Sequence, residues 1–304
     1  MKNNQLMIYG AYGYAGELMV REAVAQRLRP IIAGRDAEKL KPIATELSLE
    51  CRAFGVRNTG SNLQDISVLL NCAGPFSATA EPLARACLAQ QIHYLDITGE
   101  IDIFRKCHAL DEEARQQNVL ILPGAGTDIV PTDCLAAMLK EKLPVATRID
   151  LALSFGTNPS IGTVNTMIES FGKGGLIREG GMLKVVSNAF QMRKIPFQNK
   201  PQWAMTIPWG DVFTSGISTG VPDGAVYMAM PRMSIYMIRL TNPVKGILNT
   251  QFGQKITKRL AGWLMKKGPD AKALEAGRGQ FWGEAEAPDA FFSDSVYNSF
   301  NSGV

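Results

Sequence analysis

Two histidines and no closely spaced cysteine pair remove most metal chemistry from consideration. Cys51, Cys72, Cys87, Cys107 and Cys134 lie far apart, and only His93 and His108 could join them as nitrogen ligands. That spacing is not one a structural zinc site uses, so no metal is expected. The cysteine count is odd, and no apolar leader precedes the first strand-like run. Both features fit a reducing compartment, and a cytoplasmic location is the expectation. No apolar stretch approaches the ~20 residues that cross a bilayer, because Gly, Pro or charge interrupts the longest ones. Charge of one sign is scarce too: 32 basic against 28 acidic residues leave +4. So small and dispersed an excess argues against a nucleic-acid partner and leaves room for a phosphate-bearing small ligand. Fixed-period repeats and low-complexity tracts are absent as well.

What is present is a globular composition, 46% hydrophobic and 20% charged over 304 residues. A chain of that length buries roughly three quarters of its unfolded surface, in one large α/β unit or two domains. Through residue 125 short apolar runs alternate with segments of helical period, the pattern of successive βαβ units in a parallel sheet. Strands are expected at 6–9, 30–33, 51–54, 68–72, 94–97 and 119–122, with helices at 14–29, 37–47, 79–90, 103–117 and 127–143. Asp36 has the chemistry to cap the second of these helices. Beyond Thr147 strand-like runs at 148–155, 226–230 and 234–240 are separated by long Gly, Pro and Ser-rich stretches. The reading is therefore α/β: a Rossmann-type parallel domain over 1–146, then a smaller α+β domain with a mainly antiparallel sheet over 147–304.

After the first strand comes Gly10-x-x-Gly13-x-x-Gly16, with Tyr12, Tyr14 and Ala15 in the gaps. Glycine lets a backbone turn sharply and approach a pyrophosphate, and the helix that follows presents free N–H groups and partial positive charge. The strand–loop–helix context makes this a dinucleotide loop rather than an ordinary βα turn. Gly34-Arg35-Asp36 ends the second strand, where a carboxylate would accept from a ribose 2′-hydroxyl and a guanidinium would pair with a 2′-phosphate. With Arg35 facing the ribose, charge-assisted hydrogen bonds of roughly 1.5–3 kcal/mol favour NADP over NAD by about one to two decades. With Asp36 facing it, the preference inverts; the capping role open to Asp36 favours Arg35. Cys72, Ala73, Gly74 and Pro75 follow the fourth strand, at the carboxyl end where open α/β sheets bind ligands.

Taken in order, Gly10-x-x-Gly13-x-x-Gly16, Ala33-Gly34-Arg35, Asn71-Cys-Ala-Gly-Pro-Phe76, His93-Tyr-Leu-Asp-Ile-Thr-Gly-Glu100 and Pro123-Gly-Ala-Gly-Thr-Asp-Ile-Val-Pro-Thr-Asp133 resemble the saccharopine dehydrogenase-like oxidoreductases. Pro159-Ser-Ile-Gly-Thr163, Ile207-Pro-Trp-Gly-Asp211 and Phe281-Trp-Gly-Glu284 are more similar to the branch containing trans-acting enoyl reductases. The resemblance covers about 5–286. It implies an NADP-binding Rossmann domain and a sheet-based substrate domain, with the nicotinamide facing the cleft between them. The chain departs from the family pattern over 287–304, where Ser and Asn-rich sequence stands in place of a further strand and terminal helix. An incomplete substrate domain is the expectation there.

Hydride transfer leaves the protein to orient the cofactor, shape a pocket and supply a proton. Thr98 and Glu100, after the fifth strand, are candidates for orienting substrate or relaying a proton. The alternative has Glu100 capping the next helix and Asp96 anchoring the loop. Asp128, with Thr127 beside it, is a third candidate whose alternative is again a helix cap. Trp209 and Asp211 fit a pocket or a strand corner, whereas His93 and His108 fit no catalytic base. No acidic residue lies between Asp223 and Asp270. Apolar positions at every fourth residue there predict a basic amphipathic helix over 247–267, packed on the domain or touching anionic lipid. The expected activity is NADP-dependent hydride transfer to or from a C=C or C=N bond, with an enoyl or lipid-like substrate. The alternatives are a non-catalytic nucleotide-binding or membrane-associated protein, and an amino-acid dehydrogenase of the saccharopine type. The last would need cationic groups for substrate carboxylates, and Arg178 and Arg193 are the nominees. Apolar surface in the second domain could serve a homodimer.

Overall fold

The computed structural model describes residues 5–155, 174–198, 200–240, 242–244 and 278–299. They fall into two compact units, Met1–Val130 and Pro131–Gly303.

The first unit strings β1 (Leu6–Tyr9), α1 (Tyr14–Ala25), β2 (Ile31–Gly34), α2 (Ala37–Leu47), β3 (Cys51–Ala53), β4 (Val68–Asn71), α3 (Phe76–Ala89), β5 (His93–Asp96), α4 (Ile101–His108), α5 (Asp111–Gln116) and β6 (Ile121–Leu122). The strands are all parallel, in the order β3-β2-β1-β4-β5-β6. Order reversal between β1 and β4 is the dinucleotide-binding arrangement. Alternation along each strand feeds two cores. Met7, Leu69 and Tyr94 pack with Leu83 and Ile103 on one face, and Ile8 and Ile32 with Val20 and Leu40 on the other. A parallel sheet so covered needs apolar residues on both sides, which is why its strands read as short unbroken apolar runs.

Helix ends differ from the sequence reading where local backbone overrides periodicity. α1 stops at Ala25 because the chain turns through Arg27 at φ 64°. The expected helix 103–117 is two, α4 and α5, broken at Ala109 and Leu110. Ile103, Phe104, Cys107, Leu110 and Ala114 stay buried across the break, so the apolar period runs on while the backbone does not.

The second unit contains α6 (Val130–Lys142), β7 (Arg148–Phe155), β8 (Gly175–Glu179), β9 (Met182–Val186), β10 (Met192–Ile195), β11 (Gln202–Ile207), α7 (Asp211–Thr219), β12 (Asp223–Ala229), α8 (Arg232–Leu240), β13 (Arg278–Ala287) and β14 (Ala290–Ser299). The sheet runs β10-β11-β12-β7-β13-β14, with β8 pairing to β12 and β9. Only β12 with β7 is parallel among these pairings. Leu135, Ala136 and Leu139 of α6 join Leu151, Met205, Val226 and Phe281 in this unit's core, so α6 packs with the second sheet although it precedes residue 146. A Cβ on Gly283 would stand 2.6 Å from Leu139 Cδ1, so the helix lies directly on bare backbone of β13.

Two expectations change. The run 234–240, read as a strand from its β-branched and aromatic residues, is helical in α8, because Ile235 and Ile238 at i,i+3 reach the core together. The segment after Ala287, expected to lack a further strand, supplies β14, which pairs with β13 from Ala287↔Ala290 to Arg278↔Ser299. The basic stretch 247–267 and Pro159–Thr163 lie outside the described residues.

The α8 assignment is testable by packing. A strand would place 235 and 237 on one face, whereas the helix buries Ile235 and leaves Met237 60% exposed. Ile235→Ala is expected to cost about 2–5 kcal/mol in urea unfolding, and Met237→Ala within about 0.5 kcal/mol of zero.

Candidate functional site

At the end of β1 the chain turns through Gly10, whose φ is +85°. Gly10 N and Ala11 N both donate to Ala33 O, at 2.7 and 3.2 Å. A Cβ on Gly10 would meet Ala73 N at 2.7 Å, and one on Gly16 would meet Gly10 O at 2.1 Å. Neither position tolerates a side chain, so β1, the β4 exit and α1 close on one another as bare backbone. Gly13 occupies the N-cap of α1 and makes no side-chain capping bond. The first-turn N–H groups, from Tyr14 onward, have no intrahelical acceptor and no cap side chain over them. That is the geometry of an anion cradle.

The end of β2 separates the two alternatives for the ribose. Asp36 sits at the N-cap of α2 and accepts from Glu38 N and Lys39 N at 3.1 and 3.3 Å. Its carboxylate is occupied by the helix. Arg35 is exposed, and no carboxylate pairs with it among the described residues. Tyr12 covers the strand end, its ring so close that a Cβ on Gly34 would lie 2.6 Å from Tyr12 Cε1. Lys39 Nζ stands 5.7 Å from that ring's centroid and 3.8 Å from Asp36 Oδ2. The sequence reading passed over Lys39, although its place three residues after the cap put a second cation in the same neighbourhood.

Residues 6–122 match the family model described as the saccharopine dehydrogenase NADP binding domain. The match falls within the first unit. Its relatives include a rat saccharopine dehydrogenase-like oxidoreductase, 26% identical over 231 residues, which are 66% of this chain and 53% of the relative. A Mycobacterium tuberculosis protein described as a trans-acting enoyl reductase is 28% identical over 206 residues, 60% of this chain and 44% of its own. The chain thus spans about half the length of the curated relatives it matches. Among solved structures, saccharopine dehydrogenase (L-Glu forming) of Saccharomyces cerevisiae superposes with a TM-score of 0.64 at 8% identity, covering 97% of this chain and 85% of that one. The likeness is one of fold.

In the first unit the exit of β4 is held from two sides. Asn71 Oδ1 accepts from Ala73 N at 3.0 Å, and the Thr79 hydroxyl donates to Ala73 O at 2.6 Å. Cys72 is buried, and desolvation with the nearby Asp96 charge pushes its thiol up to about 12, so it acts as a small apolar filler rather than a nucleophile. Gly74 and Pro75, joined by a cis peptide, are exposed at the turn.

Beyond β5, Asp96 is fully buried. Its Oδ1 accepts from Thr98 N and Gly124 N at 3.0 and 2.9 Å, and its Oδ2 from the Tyr94 hydroxyl at 2.8 Å. Asp96 thus anchors the loops after both β5 and β6. Thr98 is also buried, its hydroxyl accepting from Glu100 N at 3.1 Å. Glu100 stands at the N-cap position of α4, exposed, and makes no side-chain cap bond, so the capping alternative does not describe it. Gly126 O accepts from Ile129 N and Val130 N at 3.2 and 3.0 Å, so Thr127 and Asp128 lie inside the turn that leads into α6. Asp128 Oδ2 lies 3.9 Å from where a Gly99 Cβ would be, which brings this carboxyl to the Thr98–Glu100 turn. Asp128 is solvent-accessible, yet desolvation by the surrounding protein raises its carboxyl above the ordinary value. Among the proposed acids, Glu100 and Asp128 have side chains open to solvent. His93 Nδ1 accepts from Leu120 N at 2.9 Å, a structural contact.

The second unit commits its arginines internally. Arg178 is buried, donating to Val221 O, Val212 O and Ser215 Oγ at 3.1, 2.5 and 3.1 Å. Arg193 forks onto Glu284 at 2.9 and 2.6 Å, reaches Asp150 at 3.5 Å and stacks by Tyr227 and Trp282. Asp150 also takes Arg148 Nη2 at 2.9 Å and Ala225 N at 2.9 Å. Asp211 is buried at the start of α7, and Trp209 packs half-buried on the same core, as a strand corner would place them.

Asp96 gives a pH signature. Burial lifts its carboxyl above the ordinary value, and the three donors only partly offset this. Between the unfolded value of about 3.9 and the raised folded value, the folded state binds the extra proton. Its contribution therefore falls as pH rises through that window. The stability of the wild type minus that of Asp96→Asn should decline with pH across it and level off above, read from urea midpoints between pH 3 and 7.

Proposed function

We propose that the chain is an NADP-dependent oxidoreductase that moves a hydride to or from a C=C or C=N bond, with an enoyl or lipid-like substrate favoured. The observation that carries the cofactor half is the division of labour after β2: Asp36 is spent on the α2 cap while Arg35, next in the chain to the Gly34 that Tyr12 covers, stands exposed. A 2′-phosphate would be held by Arg35, the pyrophosphate by the backbone from Gly13 to Gly16, and the rest of the dinucleotide against Cys72, Ala73, Gly74 and Pro75. When bound, the cofactor supplies the hydride carbon. The chain's own task is to exclude water, orient the acceptor and hold a proton, for which Glu100 and Asp128 are the accessible carboxyls.

The substrate class rests on three supports. Arg178 and Arg193 are both engaged by partners within their own unit, and an amino-acid substrate would have to break those pairs to seat its carboxylates, at about 2–5 kcal/mol each. One relative is described as a trans-acting enoyl reductase. An acyl substrate also suits the basic amphipathic stretch 247–267, in a cytoplasmic enzyme touching anionic lipid. A non-catalytic nucleotide binder is the competing outcome.

Fluorescence titration with NADPH and NADH tests the cofactor. NADPH should bind at least tenfold tighter than NADH, on the order of 1.4 kcal/mol, and Arg35→Ala should erase most of that gap. Turnover of NADPH with 2-enoyl thioesters or cyclic imines, and no reduction of NADP+ by saccharopine, is the expected second result. Binding without turnover of any of these would leave the binder in place of the enzyme.

A further inference from the structure

The NADP-binding domain carries a buried polar chain that the cofactor reading does not use. Asn71, Tyr94, Asp96 and Thr98 are each 0% exposed. Asn71 Nδ2 donates to the Tyr94 hydroxyl at 3.1 Å and to Thr79 Oγ1 at 3.2 Å. Tyr94 passes its own proton to Asp96 Oδ2 at 2.8 Å. One phenol oxygen therefore both accepts and donates. On its Asn71 side the chain grips Ala73 by both N–H and C=O. On its Asp96 side it grips Thr98 N and Gly124 N, and the Asp96 carbonyl takes Ala125 N at 2.7 Å.

Tyr94 is thus the only side chain among the described residues bonded to both Asn71 and Asp96, and it ties the loop after β4 to the loops after β5 and β6. In a sheet ordered β3-β2-β1-β4-β5-β6 the two halves serve two mononucleotide halves of the ligand. β1 and β2, with the Gly10 turn and Arg35, face the adenosine half. The three loops gripped by this chain belong to the other.

We propose that Tyr94 is a positioning residue for the nicotinamide half of the dinucleotide, acting through Asn71 on Ala73 and through Asp96 on Thr98 and Gly124. The proposal rests on the NADP reading and adds to it which half of the ligand the network serves. Buried satisfied networks of this kind fix loops in one arrangement, and a bound nicotinamide then finds its walls already set. Tyr94→Phe removes a single oxygen, keeps the ring in the core and leaves an Asn71 donor and an Asp96 acceptor without that partner.

The test uses the full chain and two probes: NADPH, which spans both halves, and 2′,5′-ADP, which spans only the adenosine half and its 2′-phosphate. The wild type is expected to bind both. Tyr94→Phe should weaken NADPH by about tenfold and leave 2′,5′-ADP within about twofold. Thr79→Val, which removes the grip on Ala73 O without touching the core phenol, should show the same split and decides the matter if Tyr94→Phe does not fold. Equal loss of both probes, or no loss of either, in a wild-type background that binds both, overturns the positioning role alone. A wild type that binds neither probe overturns the NADP reading and this inference with it.

Discussion

The carbonyl of Ala33 takes two successive N–H groups, Gly10 and Ala11, at the point where β1 gives way to the loop. That double bond folds the loop back over β2 and forces Gly10 against Ala73 and Gly16 against the Gly10 carbonyl. Everything at the ligand end of the first sheet inherits its spacing from this contact. α1 can start where its N-terminus faces the strand ends only because nothing projects from positions 10 and 16. Ala73, whose N–H and C=O are taken by Asn71 and Thr79, is the backbone that a side chain at position 10 would strike.

The strands of the first sheet and the nucleotide loop were legible because both are written locally. Apolar runs of four residues, glycines at fixed offsets and an aspartate before a helix each state their geometry within a few residues. Asp36 shows the limit: sequence offered it to the ribose or to the helix, and two backbone N–H groups about 3 Å away decide for the helix. Tyr94 and Asn71 were missed because their partners lie 23 residues apart, beyond any local pattern. α8 was misread because its residues suit a strand by propensity and a helix only by what they touch. β14 was discounted for its Ser and Asn content, which a hairpin paired through backbone tolerates.

The second unit solves its polar problem differently. Arg148, Asp150, Arg193 and Glu284 come from three strands, β7, β10 and β13, and meet over Tyr227 and Trp282. Desolvation pushes the Asp150 carboxyl up while Arg148 and Arg193 pull it down, the balance expected of a buried ion cluster. Such clusters contribute little net stability. Their effect is on register: a one-residue slip of β13 would move Glu284 to the opposite face and take from Arg193 the carboxylate it forks onto. The apolar face with α6, α7 and α8 supplies burial, and the ionic face makes the pairing unique.

Gly283 and Leu139 meet in that apolar face at a distance that leaves no room for a Cβ. Neither residue is free to vary alone. Enlarging 283 requires turning Leu139 Cδ1 aside, shrinking 139 or lifting α6 from β13, and shrinking 139 opens a void that a side chain at 283 can fill. Across lineages the two positions should therefore behave as one inherited character, large with absent or small with present, and intermediates that change only one should be purged. The tightest historical constraint on this half of the chain would then be recorded in a pair of residues with no chemistry of their own.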